Sequence, residues 1–203
     1  MSCSIRYNRA MVSAISDRLP IARFSVDQYH RMIASGAFTE DDRLELIDGW
    51  VVTQMAKGPG HEFAVGRTDE LLRDGIPPGW HVRNQTPITL VSSEPEPDVV
   101  IVRGDRSAYR QRHPHASEIA LVVEVSDSSL GTDRVKGKMY GSAGIPVYWL
   151  VNLVDRCVEV HTQPDPADDS GYASRRIYRV GDAVPLEVDA VPCRAVPVVE
   201  LMP

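Results

Sequence analysis

The 203 residues carry 22 Lys and Arg against 28 Asp and Glu, a formal charge of -6, with 43% hydrophobic and 25% charged residues. This is ordinary globular composition, and it argues against a protein that holds nucleic acid by bulk charge alone, since non-specific affinity comes from Lys and Arg neutralising phosphates. No run approaches the ~18 to 20 apolar residues of a membrane span, and Cys3, Cys157 and Cys193 are too scattered for a disulfide framework or a zinc site, so reduced thiols are expected.

Met1 to Tyr7 lacks the apolar run of a secretory signal, which predicts a cytoplasmic location. Residues 1–20 show no period and end at Pro20, as in a flexible arm, and 21–203 contain no composition break that would divide a single domain. Ser25 and Gln28 have capping-box spacing ahead of Tyr29, Met32 and Ile33, which predicts a helix running to Ser35-Gly36. Leu44–Ile47 and Trp50–Val52 flank Asp48-Gly49, a strong hairpin signature. After Pro59-Gly60, the stretch from His61 to Arg73 reads as a second helix, stopped by Gly75.

From Trp80 the period shortens to that of strands, with candidates at Trp80–Val82, Pro87–Leu90, Val99–Val102 and Ile119–Val125. The last two are almost continuously apolar, as in central strands covered on both faces. The loop between them is polar, and Arg103, Arg106, Arg110 and Arg112 could supply part of a basic face. Asp133–Gly141 reads as a helix, Val147–Val151 as a buried strand, and Cys157–His161 as the return of a hairpin. Beyond residue 162, Arg176–Val180 and Pro197–Leu201 look like strand additions at an edge. The fold class is therefore α/β, a mixed central sheet flanked by helices.

Glu124 is the residue most in need of explanation. It lies inside Leu121-Val122-Val123-Glu124-Val125, where alternation turns it with Val122 and away from Val123 and Val125. A carboxylate there is costly unless a cation or a buried partner meets it. An ion pair with an arginine, or an edge position facing water, would be the structural explanation. Asp98 follows Pro97 at the mouth of the Val99–Val102 strand, where Pro-Asp is also a common turn. Two carboxylates at neighbouring strands suit a hard divalent cation, which takes one or two protein oxygens and fills its remaining positions with water and phosphate.

Arg43-Leu44-Glu45-Leu46-Ile47-Asp48-Gly49, His61 at a helix head, Pro95-Glu96-Pro97-Asp98, Val123-Glu124-Val125-Ser126-Asp127-Ser128-Ser129, and Lys136 ahead of Tyr140 to Trp149 occur in that order. Over residues 21–162 this resembles the bacterial Uma-type family within the PD-(D/E)XK nuclease superfamily, which includes restriction enzymes. The resemblance implies a restriction-endonuclease-like fold and a Mg²⁺-dependent endodeoxyribonuclease, with Mn²⁺ as an alternative ion, DNA as substrate and a homodimer as the working form. Asp98 and Glu124 would then be the metal carboxylates, and a lysine would orient the attacking water.

In the superfamily that lysine usually stands two residues after the glutamate, where this chain has Ser126. The Uma-type pattern places it on the next helix, four residues before the tyrosine, which gives Lys136. The preceding loop is one residue shorter than usual in that family, which keeps Lys138 as an alternative. Glu45 matches an acidic position of the family and would reach the metal through water or pair with a basic neighbour. His61 would bond to the cluster or to a substrate phosphate, or simply cap its helix. Asp127 and Asp133 have local explanations, in a turn and in a first helical turn. The acidic balance and displaced lysine also suit a second class, a catalytically inactive nuclease-fold protein that binds nucleic acid or a protein.

Overall fold

The capping box drawn from Ser25 and Gln28 is present at the head of the first helix, α1 (Val26–Ala34), with Ser25 Oγ accepting from the Gln28 amide at 3.2 Å. The computed structural model describes residues 22–203, so the expected arm of residues 1–20 lies outside the described residues. Of the predicted apolar face of α1, Tyr29 is buried but Ile33 stays 46% exposed. The helix rests on one aromatic side chain rather than on a stripe.

The hairpin follows as β1 (Leu44–Ile47) and β2 (Trp50–Thr53). Asp48 and Gly49 both take positive φ, 48° and 77°, the type I′ turn that Asp-Gly favours. Glycine is required at 49 for a second reason, because a Cβ there would meet the Arg23 Cβ at 2.6 Å. Helix α2 (Pro59–Arg73) begins two residues before His61, with Pro59 in its first turn, where a missing N–H costs nothing.

The central sheet has six strands in the order β3 (Trp80–Asn84), β4 (Val99–Arg103), β5 (Ile119–Ser126), β6 (Val147–Asn152), β7 (Cys157–Pro164) and β8 (Tyr172–Arg179). Only β5 and β6 run parallel, and helix α3 (Leu130–Ser142) is the crossover between them. On one face Val99, Ile101, Val123 and Val125 pack with Ala64, Val65 and Leu72 of α2. On the other, Val100, Val102 and Val122 pack with Met139 and Tyr140 of α3 and with Ile88 and Leu90. No described helix is long and apolar enough to cross a membrane.

Two strand expectations need correction. Pro87–Leu90 forms no strand, because its amides go to three separate loop acceptors, the carbonyls of Pro95, Pro114 and Ser93, so no ladder can propagate. Its Ile88 and Leu90 instead plug the sheet face. Pro197–Leu201 is the end of a strand followed by a 3₁₀ turn, Val198–Leu201, whose three-residue spacing buries both of those side chains. The strands that were missed are β9 (Ala183–Val188) and β10 (Val191–Pro197), a separate hairpin whose Val184, Leu186, Val188 and Val196 join the α2 side of the core. Its turn, Asp189-Ala190, holds φ of 56° and 61° without a glycine, so the usual hairpin signature is absent. Among the described residues, Cys157 and Cys193 form no disulfide.

Candidate active site

The β4–β5 ladder ends at the pair Val99 and Val123, which leaves the Val125 amide without a strand acceptor. Asp98 Oδ2 takes that amide at 2.9 Å, so the carboxylate just before β4 is fixed in the plane of the sheet. The same oxygen lies 3.2 Å from His61 Nε2 at the head of α2, and Oδ1 lies 2.9 Å from Lys57 Nζ. Burial alone would raise the Asp98 pKa, but the His61 hydrogen bond and the charge of Lys57 outweigh it and hold the carboxyl below its ordinary range. The other ring nitrogen of His61, Nδ1, is buried without a partner among the described residues.

Glu124 projects from β5 to the α3 face, the side that strand alternation predicts. Tyr140 Oη donates to its Oε1 at 2.7 Å, and Lys136 Nζ stands 3.4 Å from the same oxygen. Lys136 also lies 3.0 Å from Glu45 Oε1, while Glu45 Oε2 accepts the Glu96 amide at 3.2 Å. Lys136 and Tyr140 are four apart on α3, hence on one helical face over Glu124. Burial raises the Glu124 carboxyl most, Lys136 pulls it down, Asp98 and Asp133 push it up, and together they leave it at about 8. Burial works against the ammonium of Lys136, yet Glu124 and Glu45 keep its pKa above the ordinary lysine range.

Apart from the fully buried Tyr140, these groups line one cleft of about 640 Å³ at the carboxyl end of β5, where α3 begins. Open α/β sheets bind ligands at such strand ends. Glu45, Glu96, Asp98, Glu124, Asp127 and Asp133 face the cleft against two lysines, Lys57 and Lys136. An anionic substrate would be repelled there unless a cation accompanied it. No three His, Cys, Asp or Glu side chains among the described residues gather closely enough to form a metal cage. Asp98 and Glu124 are hard-oxygen donors of the kind Mg²⁺ takes, one or two carboxylates with water and phosphate completing the octahedron.

All five predicted site residues, Glu45, His61, Asp98, Glu124 and Lys136, meet in this cleft. Lys138 does not: it is half exposed, with Nζ 3.7 Å from Asp169. Asp133 is buried in the first turn of α3 and accepts from Ser129 Oγ at 2.5 Å.

A family profile, Uma2, described as "Putative restriction endonuclease", matches residues 26–192. The chain belongs to the Uma2 family. The fold agrees: a crystal structure of a protein from Anabaena variabilis ATCC 29413, described as a putative nuclease, superposes with a TM-score of 0.66 at 13% identity, covering 90% of this chain and 97% of that one. A search of curated proteins returned no match. In this Uma2 member, sequence reasoning missed Lys57 as a neighbour of Asp98, although a lysine just before a helix head that carries His61 was visible. It used Tyr140 only as a landmark, although its place one turn after Lys136 already put both over the same strand.

Proposed function

We propose that this chain is a divalent-metal-dependent endodeoxyribonuclease that hydrolyses phosphodiester bonds in the cleft between α2 and α3. The observation that carries this reading is the convergence of Asp98, Glu124 and the Lys136 ammonium in one acidic cleft. Asp98 and Glu124 would hold Mg²⁺ or Mn²⁺, which when bound offsets charge on phosphoryl oxygens and lowers the pKa of an attacking water.

The chain's own residues then divide the work. The Val125 amide, His61 and Lys57 fix Asp98, and Tyr140 fixes Glu124. Glu45 tethers Lys136 so that its Nζ faces the cleft, where it would orient the water and meet the charge that develops on the phosphate. The fixed tether means that little reorganisation is needed during reaction. Homodimerisation would let two such sites cut both strands.

The test is cleavage of supercoiled, linear and single-stranded DNA with Mg²⁺ or Mn²⁺ by wild type, Asp98→Ala and Glu124→Gln. Metal-dependent cleavage that is lost in both variants is the expected result. Equal activity in all three proteins would overturn the site, and DNA binding without any cleavage would favour a non-catalytic binding module.

A further inference from the structure

A second pocket, of about 260 Å³, opens at the edge strand β3 between Arg83, Arg106, Tyr109 and His81. Directly paired residues on antiparallel strands project to the same side. His81 opposes Val102 and Arg83 opposes Val100, which itself opposes Val122. Glu124 lies two residues beyond Val122, so the pocket and the candidate active site share one face of the sheet.

Of the four arginines that the sequence marks as a possible basic face, two are already committed. Arg103 pairs with Asp189 at 3.1 Å and Arg112 with Glu118 at 2.6 Å, whereas Arg83, Arg106 and Arg110 make no ion pair among the described residues. Arg83 is the informative one. Its guanidinium is partly buried, with Nε donating to Thr86 Oγ1 at 3.1 Å and Cζ 5.7 Å from the centre of the Tyr109 ring. Burial lowers its pKa, and nearby Arg106 lowers it further. A half-desolvated cation without an anion is costly, and a guanidinium's planar fork matches a phosphate. The carboxylates nearest the pocket walls are engaged elsewhere: Asp105, beside His81, caps the Ser107 amide at 2.7 Å, and Glu118, beside Tyr109, pairs with Arg112.

His81, two residues before Arg83 on the same strand face, also lines the pocket; its Nδ1 donates to the Gly104 carbonyl at 2.7 Å, burial lowers its pKa, and its Nε2 is enclosed with no partner among the described residues. A weakly basic ring adds little for a simple oxyanion, whereas it gives a base or sugar an aromatic surface to pack on. We infer that this pocket seats one nucleotide unit of the DNA strand outside the cleavage cleft, its phosphate on Arg83 and Arg106 and its base or sugar against His81. The inference rests on the nucleic-acid substrate proposed above. It supplies the positive charge that the acidic cleft and the net charge of -6 lack.

The experiment is fluorescence anisotropy with a short labelled DNA duplex in EDTA, over a series of salt concentrations, for wild type, Arg83→Gln, Arg106→Gln and the double variant, with Arg103→Gln as control. Arg106 is exposed, so its variant keeps the test valid if Arg83→Gln disturbs the fold. Each pocket variant should lose roughly tenfold in affinity and reduce the salt slope by about 0.9, with Arg103→Gln following wild type. Coincident isotherms for all variants, absence of DNA binding by wild type, or equal competition by inorganic phosphate would overturn the inference. The two proposals fail separately. Cleavage with unchanged binding in the arginine variants removes only the pocket, and arginine-dependent binding without cleavage removes only the nuclease.

Discussion

A carboxyl whose pKa is about 8 in the folded protein and 4.5 in an unconstrained glutamate links metal, proton and stability at Glu124. The folded metal-free protein keeps a proton that the unfolded chain has released. The stabilisation from that proton is therefore full below pH 4.5 and is lost as pH rises to about 8, at about 1.4 kcal/mol per unit and roughly 5 kcal/mol in all. A divalent cation on the carboxylate must displace the same proton. Its affinity at pH 7 should then be about tenfold weaker than above pH 8, and at pH 6 about hundredfold weaker, equivalent to about 1.4 and about 2.7 kcal/mol. Calorimetric titration of Mg²⁺ into the protein without DNA, in buffers of different ionisation enthalpy, reads both the affinity and the single proton released. Glu124→Gln carries no titrating group and should flatten the metal-free stability profile between pH 5 and 8 while abolishing proton release. A wild-type Mg²⁺ affinity that is constant from pH 6 to pH 8 would refute the reasoning.

Lys136→Met should lower cleavage by about a hundredfold or more, whereas Lys138→Met should stay within about twofold; turnover and melting temperature measured on both separate lost chemistry from lost fold. Tyr140→Phe removes the hydroxyl that meets Glu124 Oε1 at 2.7 Å and should cost about 1 to 3 kcal/mol in denaturant unfolding above pH 8, where the carboxylate is charged, and less near pH 5. A Cβ at Gly141 would collide with the Gly171 carbonyl, where neither backbone can yield, so Gly141→Ala should lose about 3 kcal/mol. Gly131 in the same helix faces open space, and Gly131→Ala should gain about 0.5 to 1 kcal/mol by the same assay.

The parts of the fold that were legible are those whose residue types act locally. Ser25 with Gln28, Asp48 with Gly49, and the run Ile119–Val125 each specify their geometry within a few residues. Glu124 was legible for the same reason, since its cost follows from its immediate neighbours. Pro87–Leu90 misled because its apolar alternation is real but its amides bond to distant loops. The β9–β10 hairpin was hidden because Asp189 and Ala190 hold a left-handed turn without glycine, stabilised by the packing of Val184, Leu186 and Val196 against α2. Lys57 was hidden because its contact with Asp98 spans 41 residues and depends on where the hairpin delivers the loop before α2.

Ser126 shows why the lysine was the hardest part to assign. It occupies the strand position where the resemblance to the wider superfamily would put a lysine, on the same sheet face as Glu124, and it is fully buried near Asp133. A lysine there would have to extend along β5 to reach the cleft. Lys136 descends from α3 instead, and its Nζ stands 3.4 Å from Glu124 Oε1. On the proposed reading, chemistry constrains the position of an ammonium relative to two carboxylates, not the element that delivers it. A strand lysine and a helix lysine are equivalent only if the helix is locked over the strand. Tyr140 bonding to Glu124 and Tyr148 Oη donating to the Asp133 carbonyl at 2.9 Å provide that lock from both ends of the helical segment that holds Lys136. On that reading the spacing from Lys136 to Tyr140 is the sequence trace of a spatial requirement, and it marks the proposed lysine better than the distance from Glu124 along the chain.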